Sequence, residues 1–470
     1  MKTTRFLRRA AGPGAALLLS ACAGLPTPPG PLPAAQISPA ALPPAWQAPL
    51  PHAGAVSDLA RWWARFDDPL LAPLVDAAQA ASPSVAQAAS RIEQARASRV
   101  GAGAARLPSV DATAGASRGR PDLSAPTGSS VSLGLQAGWE LDLFGARRAG
   151  LDAATARLDA AGALWHDARV SVAAEVASAY AGLRACEAQV AQARLDAGSR
   201  AETARLTELA ANAGFQAPAA AALTRASAAQ ANARLTQQRA ACELSVKALV
   251  ALTAIDEPEL RARLAGATAR LPTPDAIVVA SVPAQALAQR PDLVAAAREL
   301  LAAGAEIDQA WAAQYPRITL AGNIGAARFS GAGGSVDGVT WSLGPVAVSL
   351  PVFDAGSRSA NLQAARARHA AAAAAYAGSL RGAVREVEEA LIALQGSADR
   401  ATDARTAAVG FGASLRATQA RYDGGLATLF ELEDARRSAV QAEVALIDLA
   451  RERLLAWINL YRALGGGWTP

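Results

Sequence analysis

The amino-acid sequence predicts a mainly helical chain with a smaller β part of membrane type, built from two copies of one unit. Three observations lead to this fold class. Landmark residues recur at a nearly constant offset, short segments alternate between apolar and polar residues, and two long stretches lack proline. A constant offset indicates duplication, alternation with a period of two indicates strands, and proline-free stretches of helix-forming residues indicate long helices.

The internal repeat organises the chain. Matching residues lie 208 to 211 positions apart. Each copy is therefore predicted to contain a helix, a strand, a loop, a second strand, a long helix, a turn and another long helix. We place the first copy at 56–262, a linker at 263–282 and the second copy at 283–470. The matching positions are Pro83 and Pro291, Pro108 and Pro316, Leu143-Phe144 and Val352-Phe353, and Gly214 and Gly425.

Four segments alternate with the period that a strand with one apolar face requires. In the strongest segment, every odd residue from Val131 to Leu143 is apolar, whereas the even residues are polar or glycine. A weaker partner lies at 110–117, and the second copy repeats the pattern at 318–324 and 339–350. The alternation at 339–350 changes phase at Gly344-Pro345, which predicts a β-bulge there.

A sheet with one apolar and one polar face fits two environments. It can form a barrel wall with lipid outside and water inside, or one layer of a sandwich that is partly exposed to water. The alternation alone does not distinguish them. A sheet that spans a membrane must have no free edge, and four strands cannot close a barrel. The barrel interpretation therefore requires several copies of the chain.

Two stretches without proline, residues 145–212 and 356–464, are rich in alanine, arginine, leucine and glutamate, which favour helix. Apolar residues recur at intervals of seven, as in Val176, Leu183 and Val190, which is typical of coiled-coil packing. A helix of about 65 residues is about 100 Å long. Such a length exceeds the needs of a globular core and suits a structure that spans a gap such as the periplasm.

Residues 1–21 are predicted to be a secretory signal and not part of the fold. Basic residues from Lys2 to Arg9 precede a short apolar stretch, and Leu19-Ser20-Ala21-Cys22 resembles the lipobox of bacterial lipoproteins. We expect cleavage before Cys22 and acylation of this residue, which would attach the chain to outer-membrane lipid. The alternative is an ordinary secretory signal with a chance cysteine. Residues 22–55 are rich in proline and are predicted to form an extended tether.

Composition argues against a nucleic-acid partner and against membrane helices. The 470 residues carry a formal charge of +5, but four basic residues lie in 1–21, which holds no acid, so the remainder carries 5 − 4 = +1. A nearly neutral body offers no basic surface for nucleic acid. No apolar run after residue 21 reaches the roughly 20 residues that a membrane helix needs, so any membrane crossing must use strands.

No motif for catalysis, metal binding or cofactor binding stands out. The three histidines, His52, His166 and His369, are scattered, and the cysteines do not form a Cys-x-x-Cys pair. The sequence also lacks a phosphate-binding Gly-Lys-Ser/Thr loop. We therefore predict a protein that is not an enzyme and that needs no cofactor or metal.

Six segments, taken in order, resemble the TolC-like outer-membrane efflux factors, specifically the NodT-type lipoprotein branch. Each segment alone is weakly specific, but together they cover nearly the whole chain after the signal at the spacing of that family. The segments are Arg61-Trp62-Trp63, Phe66-Asp67-Asp68-Pro69, Trp139 to Gly145, Ser349 to Gly356, Arg421-Tyr422 with Gly425, and Tyr461 to Trp468.

This resemblance implies a homotrimer in the cell outer membrane. Four strands from each protomer would form one 12-stranded β-barrel, and the long helical hairpins would form a tunnel in the periplasm. The trimer would be a passive conduit that exports small molecules such as drugs, metal ions or aromatic compounds. A periplasmic adaptor (membrane fusion) protein and an inner-membrane pump would be its partners. The alternative is a lipid-anchored periplasmic scaffold or adhesin, built on long helical hairpins without a pore.

The turns at Gly214 and Gly425 are candidates for the periplasmic tips that dock onto the adaptor. Glycine permits the backbone angles that a turn after a helix needs. The segment from Gly425 to Thr428 resembles the family tip more closely than the first turn, where Ala217-Pro218 replaces a small hydroxyl residue. Thr428 is therefore a docking candidate with the two glycines. The alternative is that both segments are turns without a docking role.

The resemblance also implies a periplasmic gate formed by Glu431 and Asp434, which match acids around the pore constriction of related channels. The two residues are three apart and can share one helix face, so a trimer would hold two rings of three carboxylates. Tyr422 is placed to hold the gate by a hydrogen bond. The family has an arginine between the tyrosine and these acids, but the residue here is Ala427. One interaction expected to hold the gate closed is therefore missing.

The alternative to a gate is an ordinary solvated helix face. In that case Glu433 and Arg437, which are four apart, would form an ion pair along the helix. The first copy offers no acid at the matching positions, which are Ala220 and Leu223. Only the second hairpin of each protomer would therefore contribute carboxylates to the gate.

Cys186 and Cys242 are predicted to lie at the same level of the first hairpin, because each is 28 residues from Gly214. Two antiparallel helices joined there would bring them side by side. The periplasm permits disulfides, and a bridge requires Cα atoms within about 7 Å. The alternative is two neighbouring free cysteines, since buried cysteine is common in protein cores.

Overall fold

The computed structural model describes residue 43 and residues 46–48, 62–120, 127–273, 287–331 and 334–467. These residues fall into two compact units. One, the sheet unit, takes in the described residues of 95–158 and 298–374. The other, the helical unit, takes in those of 37–94, 159–297 and 375–467.

The first copy has the predicted order of elements. The first copy also contains elements that were not predicted: a short 3-10 helix at Trp62–Arg65 and helix α1 near its start, and a short helix α5 at its end. The bounds are α1 Leu71–Ala81, α2 Pro83–Ala104, β1 Ser109–Gly119, β2 Gly128–Leu141, α3 Ala146–Asn212, α4 Pro218–Thr253 and α5 Glu257–Leu264.

The second copy repeats this order with nearly identical lengths. Helices α2 and α6 each have 22 residues, α3 and α7 each have 67, and α4 and α8 have 36 and 35. The duplication predicted from the sequence is therefore confirmed. The bounds are α6 Pro291–Ala312, β3 Arg317–Gly331, β4 Gly334–Ser349, α7 Ser357–Asp423 and α8 Leu429–Ala463.

The four strands form one antiparallel sheet in the order β1-β2-β3-β4. Over much of the sheet, the register places apolar residues of one strand beside apolar residues of the next. One row, for example, runs Ala112, Leu135, Ile324 and Trp341. The row next to it on the opposite face is polar. It runs Asp111, Gln136, Asn323 and Ser342.

The apolar face of the sheet is uncovered in the single chain. Trp341 is 76% exposed, and Leu133, Leu135 and Ile324 are also exposed. A sandwich layer would bury these side chains against a second layer, as apolar sheet faces in water do. Within the described chain no such layer covers them, so this face needs lipid or another apolar surface.

The predicted bulge lies where the alternation changes phase. Leu320 pairs with Val346 and Gly322 pairs with Leu343, so Ala321 of β3 faces two residues of β4, Gly344 and Pro345. The extra residue restores the apolar residues of β4 to the same face on both sides of the bulge.

Strands β3 and β4 extend further than the sequence predicted. The alternating segments ended at residue 324 and began at residue 339, whereas β3 continues to Gly331 and β4 begins at Gly334. Apart from Phe329 and Val336, the added part holds small and polar residues that break the alternation. It stays extended because the backbone groups of the two neighbouring strands continue to pair.

The core of the helical unit explains two of the family-like segments. Trp62 stacks on Tyr461 with ring centroids 5.2 Å apart, and Trp63 and Phe66 complete the aromatic cluster. Asp68 accepts a hydrogen bond from the buried Tyr180 hydroxyl. The residues before α1 are therefore fastened to the end of α8 and to α3.

Part of the predicted tether packs against this unit. Trp46 and Ala48 are buried, and the backbone N–H groups of Gln47 and Ala48 donate to the Glu388 carboxylate at 2.6 and 2.7 Å. A freely extended tether would leave these residues in water. The remainder of 22–45, the signal and Cys22 lie outside the described residues, apart from residue 43.

None of the helices in the described part of the chain is both long enough and apolar enough to cross a membrane. Their buried faces are instead rich in alanine, which lets neighbouring helices approach closely. Among the fully or nearly fully buried residues are Ala173, Ala177, Ala383 and Ala390.

The two faces of the sheet should respond differently to a charge. We expect Leu133→Arg on the apolar face to cost about 2–4 kcal/mol in a bilayer, whereas Ser132→Arg on the opposite face should be tolerated. The measurement is the amount of folded protein in isolated outer membranes. Equal loss of both variants would contradict the assignment of the apolar face to lipid.

Candidate gate and docking residues at the helical turns

The two hairpin turns have the same backbone structure. After α3, Gly214 adopts φ +80°, and after α7, Gly425 adopts φ +72°. The next residue of each turn donates its N–H to a carbonyl five residues back, from Phe215 to Ala210 and from Leu426 to Arg421. Positive φ strains residues other than glycine, so the two glycines are required by the turn itself.

Each turn presents a large apolar side chain to water directly after its glycine. Phe215 is 84% exposed and Leu426 is 73% exposed, and the nearby Phe430 is also exposed. Exposed apolar residues at a chain reversal are typical of surfaces that bind a partner. The glycines alone do not identify these side chains, but the 211-residue offset aligns Phe215 with Leu426 and was the signal available in the sequence.

Thr428 and Glu431 form a capping box at the start of α8. The Thr428 hydroxyl accepts from the N–H of Glu431 at 3.2 Å, and the Glu431 carboxylate accepts from the N–H of Thr428 at 2.6 Å. The bond from the Thr428 backbone holds the pKa of Glu431 below its usual range. The Thr-x-x-Glu spacing is a sequence signature of this cap, so Glu431 has a structural role that the sequence analysis overlooked.

The predicted pair between Glu433 and Arg437 is wrong. Arg437 pairs with Asp434, and both side chains are more than half exposed. Glu433 instead points toward α3 and accepts hydrogen bonds from Arg200, Ser227 and Arg436. Position along the helix alone could not reveal this, because the stronger partners come from other helices.

The Glu433 carboxylate lies between two arginines. Arg436 donates to it at 3.0 Å, and Arg200, which also bonds Asp196 at 2.9 Å, approaches from α3. Ser227 of α4 donates to the same carboxylate at 2.8 Å. A carboxylate with several charged donors is held more firmly than one with neutral partners.

Arg436 is the most buried member of this network, at 2% exposure. Its second terminal nitrogen donates to Thr203 of α3 and to Gln419 of α7, each at 2.7 Å. The network therefore joins all four long helices. Arg436 shares a buried stripe with Leu432 and Ala439, and an arginine on an apolar stripe was the signal available in the sequence.

Tyr422 also connects the hairpins. Its hydroxyl lies 3.4 Å from the Thr207 hydroxyl, which itself donates to the Thr203 carbonyl. Tyr422 is therefore the donor in this contact. Close to it, a guanidinium nitrogen of Arg421 lies 4.0 Å from the Glu431 carboxylate, and thus a charge approaches Glu431 although Ala427 replaces the family arginine.

Cys186 and Cys242 lie side by side in the first hairpin. Their Cα atoms are 5.6 Å apart and the two sulfur atoms are joined as a disulfide. This separation falls within the range that a bridge requires. At the same level, Gln238 donates to Gln189 at 2.7 Å, and Gln189 donates to Asp448 of α8 at 2.9 Å.

Across the residues that the structure describes, no group of three or more histidine, cysteine, aspartate or glutamate side chains is arranged to hold a metal ion. Cys22 lies outside these residues.

Comparison with known proteins matches this architecture. The sequence profile described as outer membrane efflux protein matches residues 74–254 and 282–466. The chain is 34% identical to outer membrane protein OprJ of Pseudomonas aeruginosa, over 88% of each chain. The chain belongs to the outer membrane efflux protein family. It is also 30% identical to the solvent efflux pump outer membrane protein SrpC of Pseudomonas putida, over 86% of this chain and 87% of SrpC.

A solved structure agrees with this membership. The crystal structure of a membrane protein from Pseudomonas aeruginosa superposes with a TM-score of 0.80 at 31% identity, covering 89% of this chain and all of that one. The predicted resemblance, fold class and outer-membrane location are thus confirmed. The chain is an outer-membrane efflux channel protein, and family membership sets aside the scaffold or adhesin.

Removing the Glu433 carboxylate should destabilise the protein strongly, because it leaves two arginines without their shared partner. We expect Glu433→Ala to cost about 2 kcal/mol or more, whereas Asp434→Ala at the exposed neighbouring position should cost about 1 kcal/mol at most. Thermal unfolding of the two variants measures the difference. Equal unfolding temperatures would show that the network contributes little.

The bond between Cys186 and Cys242 can be tested by counting thiols under denaturing, non-reducing conditions. We expect neither residue to react with a thiol reagent until a reductant is added. Two reactive thiols from these positions in protein purified from the outer membrane would exclude the bridge.

Proposed function

We propose that the chain forms a homotrimeric conduit in the outer membrane that carries small molecules to the exterior. The observation that supports this most is the sheet: among the residues that the structure describes, nothing covers its apolar face, and the outer strands β1 and β4 each have one unpaired edge. Unpaired backbone groups are costly in lipid. Three copies would pair every edge in one 12-stranded barrel.

The conduit is passive, and its energy comes from partners. We propose that a periplasmic adaptor connects it to an inner-membrane pump, and that the chain itself catalyses no reaction and binds no cofactor. The relative SrpC is named for solvent efflux. Drugs, metal ions and aromatic compounds are all candidate cargoes for the present chain.

The lipid on Cys22 would fix the protomer to the membrane before the barrel forms. The contact of residues 46–48 with Glu388 supports this arrangement, because it leaves 23 residues, numbers 23–45, between the anchor and the helical unit. Extended at about 3.1 Å per residue, such a segment reaches about 70 Å.

Docking onto the adaptor is proposed at the turns around Gly214 and Gly425, with Thr428 fixing the second turn through its cap. The exposed Phe215 and Leu426 support this role, since they offer apolar surface that no described residue covers. The sharper candidate is the second turn, where Phe430 adds to the apolar surface.

Replacing Leu426 by Asp should impair export while leaving assembly intact, because the side chain is exposed and makes no contribution to the fold. Phe215→Asp is the matched variant of the first turn. Drug susceptibility of cells that express each variant measures export, and the amount of protein in the outer membrane measures assembly. Normal export in both variants would contradict docking at the turns.

The closed gate is proposed to lie at the start of α8, where Glu431 and Asp434 of three protomers would surround the pore. The bond from Tyr422 to Thr207 would hold this hairpin against the first one. The half-exposed carboxylates of Glu431 and Asp434 support the proposal. Rings of carboxylates attract cations at a constriction.

Single-channel recording in planar bilayers tests the conduit and the gate together. We expect the wild-type protein to form channels that divalent cations block from the periplasmic side. Replacing Glu431 and Asp434 by alanine should weaken that block, because the two carboxylate rings would be lost. Channels with unchanged block would exclude these acids from the constriction, and the absence of any channel would contradict the proposed function.

A further inference from the structure

A cleft of about 420 Å³ lies between α7 and α8 in the helical unit, and residues 271–273 also line it. A volume of this size falls in the range of small-molecule sites. The described residues that line it are Leu271, Pro272, Thr273, Ser397, Ala401, Arg405, Leu446, Leu449, Ala450, Arg453, Leu454 and Trp457.

The matching positions of the first hairpin are occupied differently from those of the second hairpin at this cleft. With the 211-residue offset between the hairpins, Ser397 and Arg453 of the second copy occupy the positions of Cys186 and Cys242 in the first. At that level the two helices of the first hairpin are joined by the cysteine pair. At the same level the second hairpin has Ser397 and Arg453, and both line the cleft.

The chemistry of the lining is apolar with an uncompensated positive charge. Leu449, Leu454 and Trp457 are buried and form the apolar part. Arg405 and Arg453 are both exposed, and neither makes an ion pair with any residue that the structure describes. The lining residues named above include no aspartate or glutamate.

Two arginines close to Arg405 and Arg453 in sequence have acidic partners. Arg400 pairs with Glu452 at 2.5 Å, and Arg451 lies 3.9 Å from Asp448. Arg405 and Arg453 stand among these pairs and border an apolar cleft instead of an acid. Two guanidinium groups next to an apolar wall complement a ligand with one anionic group and an apolar body.

We propose that this cleft binds an amphipathic organic anion, with the carboxylate or sulfonate held by Arg405 and Arg453 and the apolar body against Leu449, Leu454 and Trp457. The site is separate from the turns and from the proposed gate residues. It would give the protein a ligand-binding function in addition to conduction.

Two fluorescent probes that differ in one charged group test the proposal. The anion is 8-anilinonaphthalene-1-sulfonate, and N-phenyl-1-naphthylamine is its uncharged counterpart without the sulfonate. Both are titrated into the full-length protein in nanodiscs, with empty nanodiscs subtracted. We expect the wild type to bind the anion saturably. In the Arg405→Gln/Arg453→Gln double variant the dissociation constant should be roughly tenfold larger, because charge-assisted hydrogen bonds to the anion are lost.

Two further variants decide what the signal means. Arg416→Gln removes another exposed arginine of α7 that does not line the cleft, and it should leave anion binding unchanged. Ala450→Trp places a large side chain at an exposed lining position and should abolish binding of the anion.

Several results would overturn the proposal. One is anion binding that is equal in the wild type and the double variant. Another is uncharged-probe binding that falls as much as anion binding in the double variant, since the arginines would then not be recognising charge. A third is dissociation of the assembly by Ala450→Trp, which would identify the cleft as a contact between copies of the chain.

Discussion

The unpaired edges and the uncovered apolar face of the four-stranded sheet constrain the rest of this protein. In water, such a sheet could gain a second layer, but the described chain provides none over Leu133, Leu135 or Trp341. In lipid, the backbone groups at the free edges of β1 and β4 would be left without partners, which is costly. The apolar face is covered and the free edges are paired together only when several copies close one sheet around a polar interior.

This constraint explains why the strands and the helices differ in which side chains they bury. The apolar residues on one face of the strands would face lipid and do not form a core within the chain. The buried apolar core is therefore supplied by the helices. There, the aromatic cluster around Trp62 and Tyr461 and the buried alanines of α3 and α7 supply the core. The polar network around Glu433 and Arg436 links the two hairpins.

Much of the fold could be predicted from the sequence because its signals are local. Proline-free stretches and glycines located the long helices and both turns, and the alternation located the strands and the bulge at Gly344-Pro345. The outer parts of β3 and β4 could not be predicted, because pairing with a neighbouring strand keeps them extended without any alternation. The Glu433 network was missed for a similar reason: Arg200 and Thr203 are distant in sequence, and only the fold brings them to α8.

The candidate site was predictable only in part. The turns and the closeness of Cys186 and Cys242 followed from counting residues, since a hairpin fixes which positions face each other. The role of Glu431 in the helix cap could be predicted from the Thr-x-x-Glu spacing, although the resemblance to the family implied only a role in the gate. The two hairpins also differ chemically at the same level. The first is joined by cysteines, whereas the second has a cleft.

Cross-linking of the sheet edges tests the central claim most directly. With Cys186 and Cys242 replaced by alanine, one cysteine at Thr113 on β1 is combined in turn with one at Val336, Gly338, Thr340 or Ser342 on β4. Within one chain, two strands separate β1 from β4, a distance of about 14 Å, which no disulfide can span. The account predicts a covalent trimer on oxidation for at least one pair. Only monomers for every pair, in protein that has reached the outer membrane, would contradict it.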